Sequence, residues 1–131
     1  MSALLLDTHT FLWWSLDPEK LPASVSMLLS DPANRVVLSV VSCWEAQIKA
    51  GLGKLILGEP LRKIIERELI RNRWQVLPVT LVHTWKLESL PPLHRDPFDR
   101  LLVAQALVED LILVTRDTLV TQYPDVKTFW G

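Results

Sequence analysis

A chain of 131 residues with 49% hydrophobic side chains can bury a core as one compact domain, residues 1–131, without disulfide staples. Its formal net charge of -1 excludes a generally basic nucleic-acid binder that works by whole-molecule attraction, and a single cysteine, Cys43, excludes an internal disulfide or a cysteine-rich zinc site. The longest apolar run, Val36 to Trp44, is broken by Ser39 and Ser42 and falls far short of the roughly 20 residues that cross a bilayer, and Asp7 interrupts any secretory leader, so a cytoplasmic location away from membranes is expected.

In chain order, Ala3 to Leu6 reads as a short buried strand ending at Asp7, and Thr8 to Leu16 and Pro22 to Leu29 read as helices. Arg35 to Ser39 is a second strand, followed by a helix over Cys43 to Leu52 that Gly51-Leu-Gly53 terminates. Leu61 to Arg73 predicts a helix, Trp74 to Val79 a weaker strand stopped near Pro78, and Leu81 to Leu90 a further helix ended by Pro91-Pro92. The clearest helix runs from Pro97 to Glu109, where Leu101, Leu102, Ala104, Gln105, Ala106 and Val108 give it a face for a sheet. Asp110 to Thr115 and Val126 to Trp130 complete about five strands, the last at an edge. Alternating strands and helices predict an α/β fold, a three-layer α/β/α sandwich around a mainly parallel sheet.

Each acid near these boundaries has a local explanation. Asp7 stands where an N-cap belongs, Ser42-Cys-Trp-Glu45 matches a capping box, Asp96-Pro97 is a helix start with Asp99 near the positive end of the dipole, and Asp117 could cap a short helix after Arg116. Together they mean more, because in a parallel sheet the carboxyl ends of the strands and the starts of the returning helices share one edge. Asp7, Glu45, Asp96, Asp99 and Asp117 all converge on that edge, near a switch in strand order where open sheets place ligands. Crowded carboxylates repel and resist desolvation unless a cation is present, and a hard ion such as Mg²⁺, with oxygen ligands and retained waters, resolves the conflict. Such a centre suits phosphodiester hydrolysis. A phosphatase with Asp7 as nucleophile is an alternative, although Thr8-His9-Thr10 lacks its usual second acid. A non-catalytic module whose acids cap helices and bind a basic peptide is another.

Four segments carry a family resemblance: Leu4-Leu-Leu-Asp-Thr-His-Thr-Phe-Leu-Trp13; Ser42-Cys-Trp-Glu45 with Lys49 and Gly53-Lys-Leu55; His94-Arg-Asp-Pro-Phe-Asp-Arg-Leu-Leu-Val-Ala-Gln-Ala106; and Leu113-Val-Thr-Arg-Asp117. In this order, over nearly the whole chain, they resemble PIN-domain proteins, and more narrowly the VapC-type toxins of type II toxin-antitoxin pairs. The resemblance implies a PIN-like sandwich and an endoribonuclease dependent on Mg²⁺ or Mn²⁺. Asp7, Glu45, Asp99 and Asp117 would form its acidic quartet, Asp7 and Asp99 being the most direct metal ligands, Glu45 a ligand or water-positioning group and Asp117 a ligand acting partly through water. Thr115 would help order the site and Asp96 would support it. A homodimer, a cognate antitoxin and contact with DNA only through that antitoxin are also implied.

Among the remaining residues, His94 and Arg95 are candidates to contact the scissile phosphate, and Arg100 and Arg116 to balance the acids or meet RNA. His9 is expected at the surface and Cys43 as a small buried residue rather than a nucleophile. Trp13, Trp14 and Trp44 are read mainly as packing residues, with one or two lining a groove for an antitoxin helix. Lys63, Arg67, Arg71 and Arg73 read as a solvated face.

Overall fold

The computed structural model describes residues 2–131. Its strands are β1 (Ala3–Leu6), β2 (Arg35–Ser39), β3 (Gln75–Leu77), β4 (Ile112–Val114) and β5 (Lys127–Phe129), and they form one sheet in the order β3-β2-β1-β4-β5. Every pairing is parallel, with Leu4 opposite Val36 on one side and Ile112 on the other. The chain fills the sheet outward from β1 in one direction and then returns to its other side, so the order reverses between β1 and β4.

Six α-helices flank the sheet: α1 (Thr8–Leu16), α2 (Ala23–Ser30), α3 (Val40–Gly51), α4 (Leu61–Asn72), α5 (Leu81–Leu87) and α6 (Pro97–Glu109). Alternate residues of a strand point to opposite faces, and β1 shows it. Leu4 and Leu6 join Phe11 and Leu12 of α1, Val25 and Leu29 of α2, and Trp74 in one core, whereas Leu5 joins Leu102, Val103 and Ala106 of α6 in the other. These two cores make the three-layer sandwich that the alternation of elements predicts.

Local chemistry moves several boundaries. The helix expected from Cys43 begins at Val40, because Ser39, the last residue of β2, caps it directly by accepting the Val41 N–H at 3.0 Å. The expected capping box is therefore absent: Ser42 and Glu45 lie inside α3. A capping box does form at Thr80 and His83 of α5, where histidine rather than an acid reaches back to the cap. The last inner strand is shorter than expected because Asp110 takes a left-handed conformation, φ 53°, to end α6, and the Leu111 N–H closes on Ala106 at 2.9 Å. Gln105, expected on the apolar face of α6, is wholly buried but polar in use: it accepts from the Ser39 hydroxyl and donates to the Pro78 carbonyl, bolting α6 to the ends of β2 and β3. Among the described residues no helix is long and apolar enough to cross a membrane.

Candidate metal centre

The reversal in strand order opens the sheet at the carboxyl ends of β1 and β4, and two threonines fix what enters the gap. The Asp7 N–H donates to the Val114 carbonyl at 3.2 Å, the Thr10 hydroxyl donates to the same oxygen at 2.9 Å, and the start of α1 is thereby pinned to the end of β4. Asp7 follows β1 as the N-cap of α1, its Oδ1 accepting the Thr10 N–H at 2.7 Å. Thr115, buried after β4, accepts the Asp117 N–H at 3.1 Å and turns the chain so that Asp117 faces back toward Asp7. Asp99 comes from the first turn of α6.

Asp7, Asp99 and Asp117 line one cleft of about 360 Å³, together with His9, Trp13, Arg116 and Thr118. Glu45 and Asp96 line the neighbouring cleft instead, with Arg95 and Lys49, yet the charges of both act on Asp99. The expected convergence of five acids is thus resolved into three in one cleft and two in the next. Asp96 remains a cap, accepting the Phe98 N–H at 2.8 Å. Glu45 is buried in α3, where its Oε1 accepts the Thr8 hydroxyl at 2.6 Å and its Oε2 pairs with Lys49 at 3.1 Å.

Electrostatics separates the acids. Burial pushes Asp7 above its ordinary value, against hydrogen bonds from Thr10 and Thr115. Asp99 is pushed up to about 7, first by burial and then by the charges of Asp96, Glu45 and Asp117, with His94 opposing. Asp117 is also partly desolvated, but a hydrogen bond from His94 and the amides of Leu119 and Val120 outweigh that and leave it below the ordinary carboxylate range. Three oxygen donors from distant parts of the chain, two of them pushed toward the protonated form, fit a hard divalent cation, which relieves both repulsion and desolvation. His94, Asp99 and Asp117 present ligand-type atoms within 4.8 Å of one another.

The other expected site residues divide. Arg116 is exposed on the cleft wall, its guanidinium carbon 5.0 Å from the Trp13 ring centre. Arg95 is exposed beside Glu45 and Asp96. Arg100, expected near substrate, is engaged elsewhere: Nη1 donates to the Pro91 carbonyl at 2.9 Å and the Tyr123 hydroxyl at 3.1 Å, so it braces the loop before α6. His9 is exposed as expected, but its exposed face belongs to the acidic cleft, with its ring 5.9 Å from Trp13. Cys43 is half-buried against the core, and burial pushes its thiol up, away from nucleophilic use. Lys63, Arg67, Arg71 and Arg73 are all exposed, and Arg67 is clamped to Glu59 through two bonds of 2.9 Å. Sequence reasoning missed Thr8, Lys49 and Tyr123 as organisers. The Thr-x-Thr after Asp7 was the available signal for Thr8; Tyr123 gave none, because only the fold brings it to the loop.

Comparison with known proteins places the chain. Residues 4–125 match the family model of the PIN domain. Ribonuclease VapC22 of Mycobacterium tuberculosis (strain ATCC 25618 / H37Rv) is 27% identical, over 99% of this chain and 100% of its own. Among solved structures, VapBC2 from Rickettsia felis bound to a promoter DNA fragment superposes with a TM-score of 0.71 at 17% identity, covering 98% of this chain and 99% of the other. DNA-bound VapBC from Salmonella typhimurium gives 0.71 at 17% identity with 98% of each chain covered. FitAcB from Neisseria gonorrhoeae gives 0.61 at 23% identity with 96% of each covered. At these identities the structures establish the shared fold.

Proposed function

The chain belongs to the PIN-domain family, and from that premise we propose that it is a Mg²⁺- or Mn²⁺-dependent endoribonuclease, the toxin of a type II toxin-antitoxin pair, formed by residues 1–131 as one nuclease domain. The observation that carries the reading is Asp99: a carboxyl group whose pKa is pushed up to about 7 beside Asp7 and Asp117, where only added positive charge stabilises the fully ionised set. Asp7, Asp99 and Asp117 would hold the ion, with Glu45, whose charge acts on Asp99, orienting water. When bound, the ion supplies Lewis acidity toward a phosphoryl oxygen and lowers the pKa of an attached water.

The protein's own side chains set the stage for that chemistry. Thr8 and Lys49 hold Glu45 in place and aimed, and Thr115 fixes the turn that presents Asp117. Arg116, exposed on the cleft wall, and Arg95, exposed beside Glu45 and Asp96, are the substrate-phosphate donors, His94 stands next to Arg95 in the chain, and Arg100 braces the loop before α6 that carries them both. Local cations of this kind compensate for a net charge of -1 that gives RNA no general attraction.

The structural relatives that are VapBC complexes bound to DNA support a cognate antitoxin as partner, with promoter DNA met through it. A homodimer is supported by α3 and its C-cap Leu52, where Val40, Trp44, Ile48 and Leu52 recur every fourth residue and all remain exposed, Leu52 at 64%. A reducing cytoplasm suits the free Cys43.

The test is cleavage of single-stranded RNA by the purified protein with Mg²⁺ or Mn²⁺. Chelation, Asp7→Asn and Asp99→Asn are each expected to abolish cleavage while leaving circular dichroism native. Cleavage that persists in both variants and in excess chelator would remove the proposal.

A further inference from the structure

The side chain of His94 lies between two of the acids. Its Nε2 is 2.9 Å from Asp117 Oδ2 and 3.0 Å from Asp99 Oδ2. By proximity alone the three groups read as a His-Asp-Asp metal site. The other side of the ring says otherwise. The Asp96 N–H points at His94 Nδ1 from 3.1 Å, and a backbone N–H can only donate. Nδ1 must therefore present its lone pair, which leaves the ring proton on Nε2, facing the two carboxylates. A nitrogen that carries that proton has no lone pair for an ion.

We propose that His94 is a built-in occupant of the cation position, a hydrogen-bond donor that a divalent ion must expel rather than a ligand that it recruits. The inference rests on the metal centre proposed above. The loop is built for such an exchange, because its backbone is anchored independently of the ring. The His94 N–H donates to the Tyr123 hydroxyl at 3.0 Å, and Arg100 ties that hydroxyl to the Pro91 carbonyl. Expulsion thus needs only rotation of one side chain, with the loss of its contacts to Asp99, Asp117 and the Asp96 amide. In the bare protein the imidazole eases the acid pair; on loading, the ion does so. The device sets a threshold of metal concentration below which the acids remain closed on their own histidine.

The decisive variant is His94→Asn. Its side-chain oxygen, one bond from Cγ like Nδ1, can still accept the Asp96 N–H, but the side chain is too short to place a donor between the carboxylates. His94→Ala removes both contacts. Binding of Mn²⁺ alone, followed by calorimetry and by electron paramagnetic resonance of the free ion, is expected to be about tenfold or more tighter in His94→Asn than in the unaltered protein, since hydrogen bonds to charged acceptors no longer have to be broken. His94→Ala should shift the same way; if it does not fold, His94→Asn decides. Without metal the Asn variant should melt lower than the parent, and with saturating Mn²⁺ the difference should close or reverse. Equal or weaker Mn²⁺ binding by His94→Asn, or a coordinated imidazole nitrogen in the Mn²⁺ spectrum of the parent that disappears in the variant, would overturn the inference while leaving the metal centre standing. No Mn²⁺ uptake by the parent or by His94→Asn would overturn both.

Discussion

Replacing Asp99 by asparagine keeps its shape and removes its charge, and in the metal-free protein it should be stabilising. The pKa of Asp99 is raised to about 7, against an ordinary value of 3.8, by burial first and by Asp96, Glu45 and Asp117 second. Its folded value lies above its unfolded one, so between those limits the native state binds more protons than the unfolded chain. Stability therefore falls as pH rises through that window. At about 1.36 kcal/mol per pH unit, the gap from 3.8 to about 7 sets an upper bound of about 4 kcal/mol. The side chain is 21% exposed; water and relaxation at such a site reduce the expected gain at pH 8 to about 1–2 kcal/mol, net of the lost charge on the His94 hydrogen bond. For a chain of this size that is a rise in Tm of roughly 3–8 °C. The advantage should shrink steadily below pH 7 and be gone near pH 4. Saturating Mn²⁺ should reverse the order, because only the parent gains the full binding energy. Calorimetric melts in chelator from pH 4 to 8 measure all of this. An Asp99→Asn protein less stable than its parent at pH 8, or a difference indifferent to pH, would refute the idea that these acids are crowded against one another.

Because a proton and the ion compete for Asp99, Mn²⁺ affinity should climb by up to about tenfold per pH unit below 7 and level off above it, with proton release visible when calorimetry is repeated in buffers of different ionisation enthalpy. Thr8→Val removes a 2.6 Å donor from a buried carboxylate and should cost about 1.5–3 kcal/mol in urea unfolding, more than an exposed threonine would. Trp44→Lys with Ile48→Lys alters exposed positions of α3, so it should convert a dimer to a monomer in light scattering with little loss of fold; a dimer that survives both changes would place the contact elsewhere.

The strands of hydrophobic residues and the Asp-Pro start of α6 are legible because each obeys a local rule: continuous apolar runs for strands buried on both faces, and proline at the first helical turn. The family pattern likewise lies in contiguous motifs. Boundaries failed where a residue served two elements. Ser39 ends β2 and caps α3 at once, so a capping pattern three residues later, at Ser42 and Glu45, looked better in sequence and was not used. Arg100 stands beside Asp99 in the chain but turns to a loop carbonyl, since neighbours along a helix face different directions.

Sequence by itself determined which carboxylates reach the carboxyl edge of the sheet, because parallel strands and right-handed returns put strand ends and helix starts together regardless of side-chain detail. Tertiary structure decided how they share it: Asp7, Asp99 and Asp117 in one cleft, Glu45 and Asp96 in the next, and His94 between Asp99 and Asp117. Desolvation and hydrogen-bond direction depend on what surrounds a group in three dimensions, and the Asp96 amide that orients the His94 ring, like the Tyr123 hydroxyl that anchors its backbone, acquires its role only once the loop is folded.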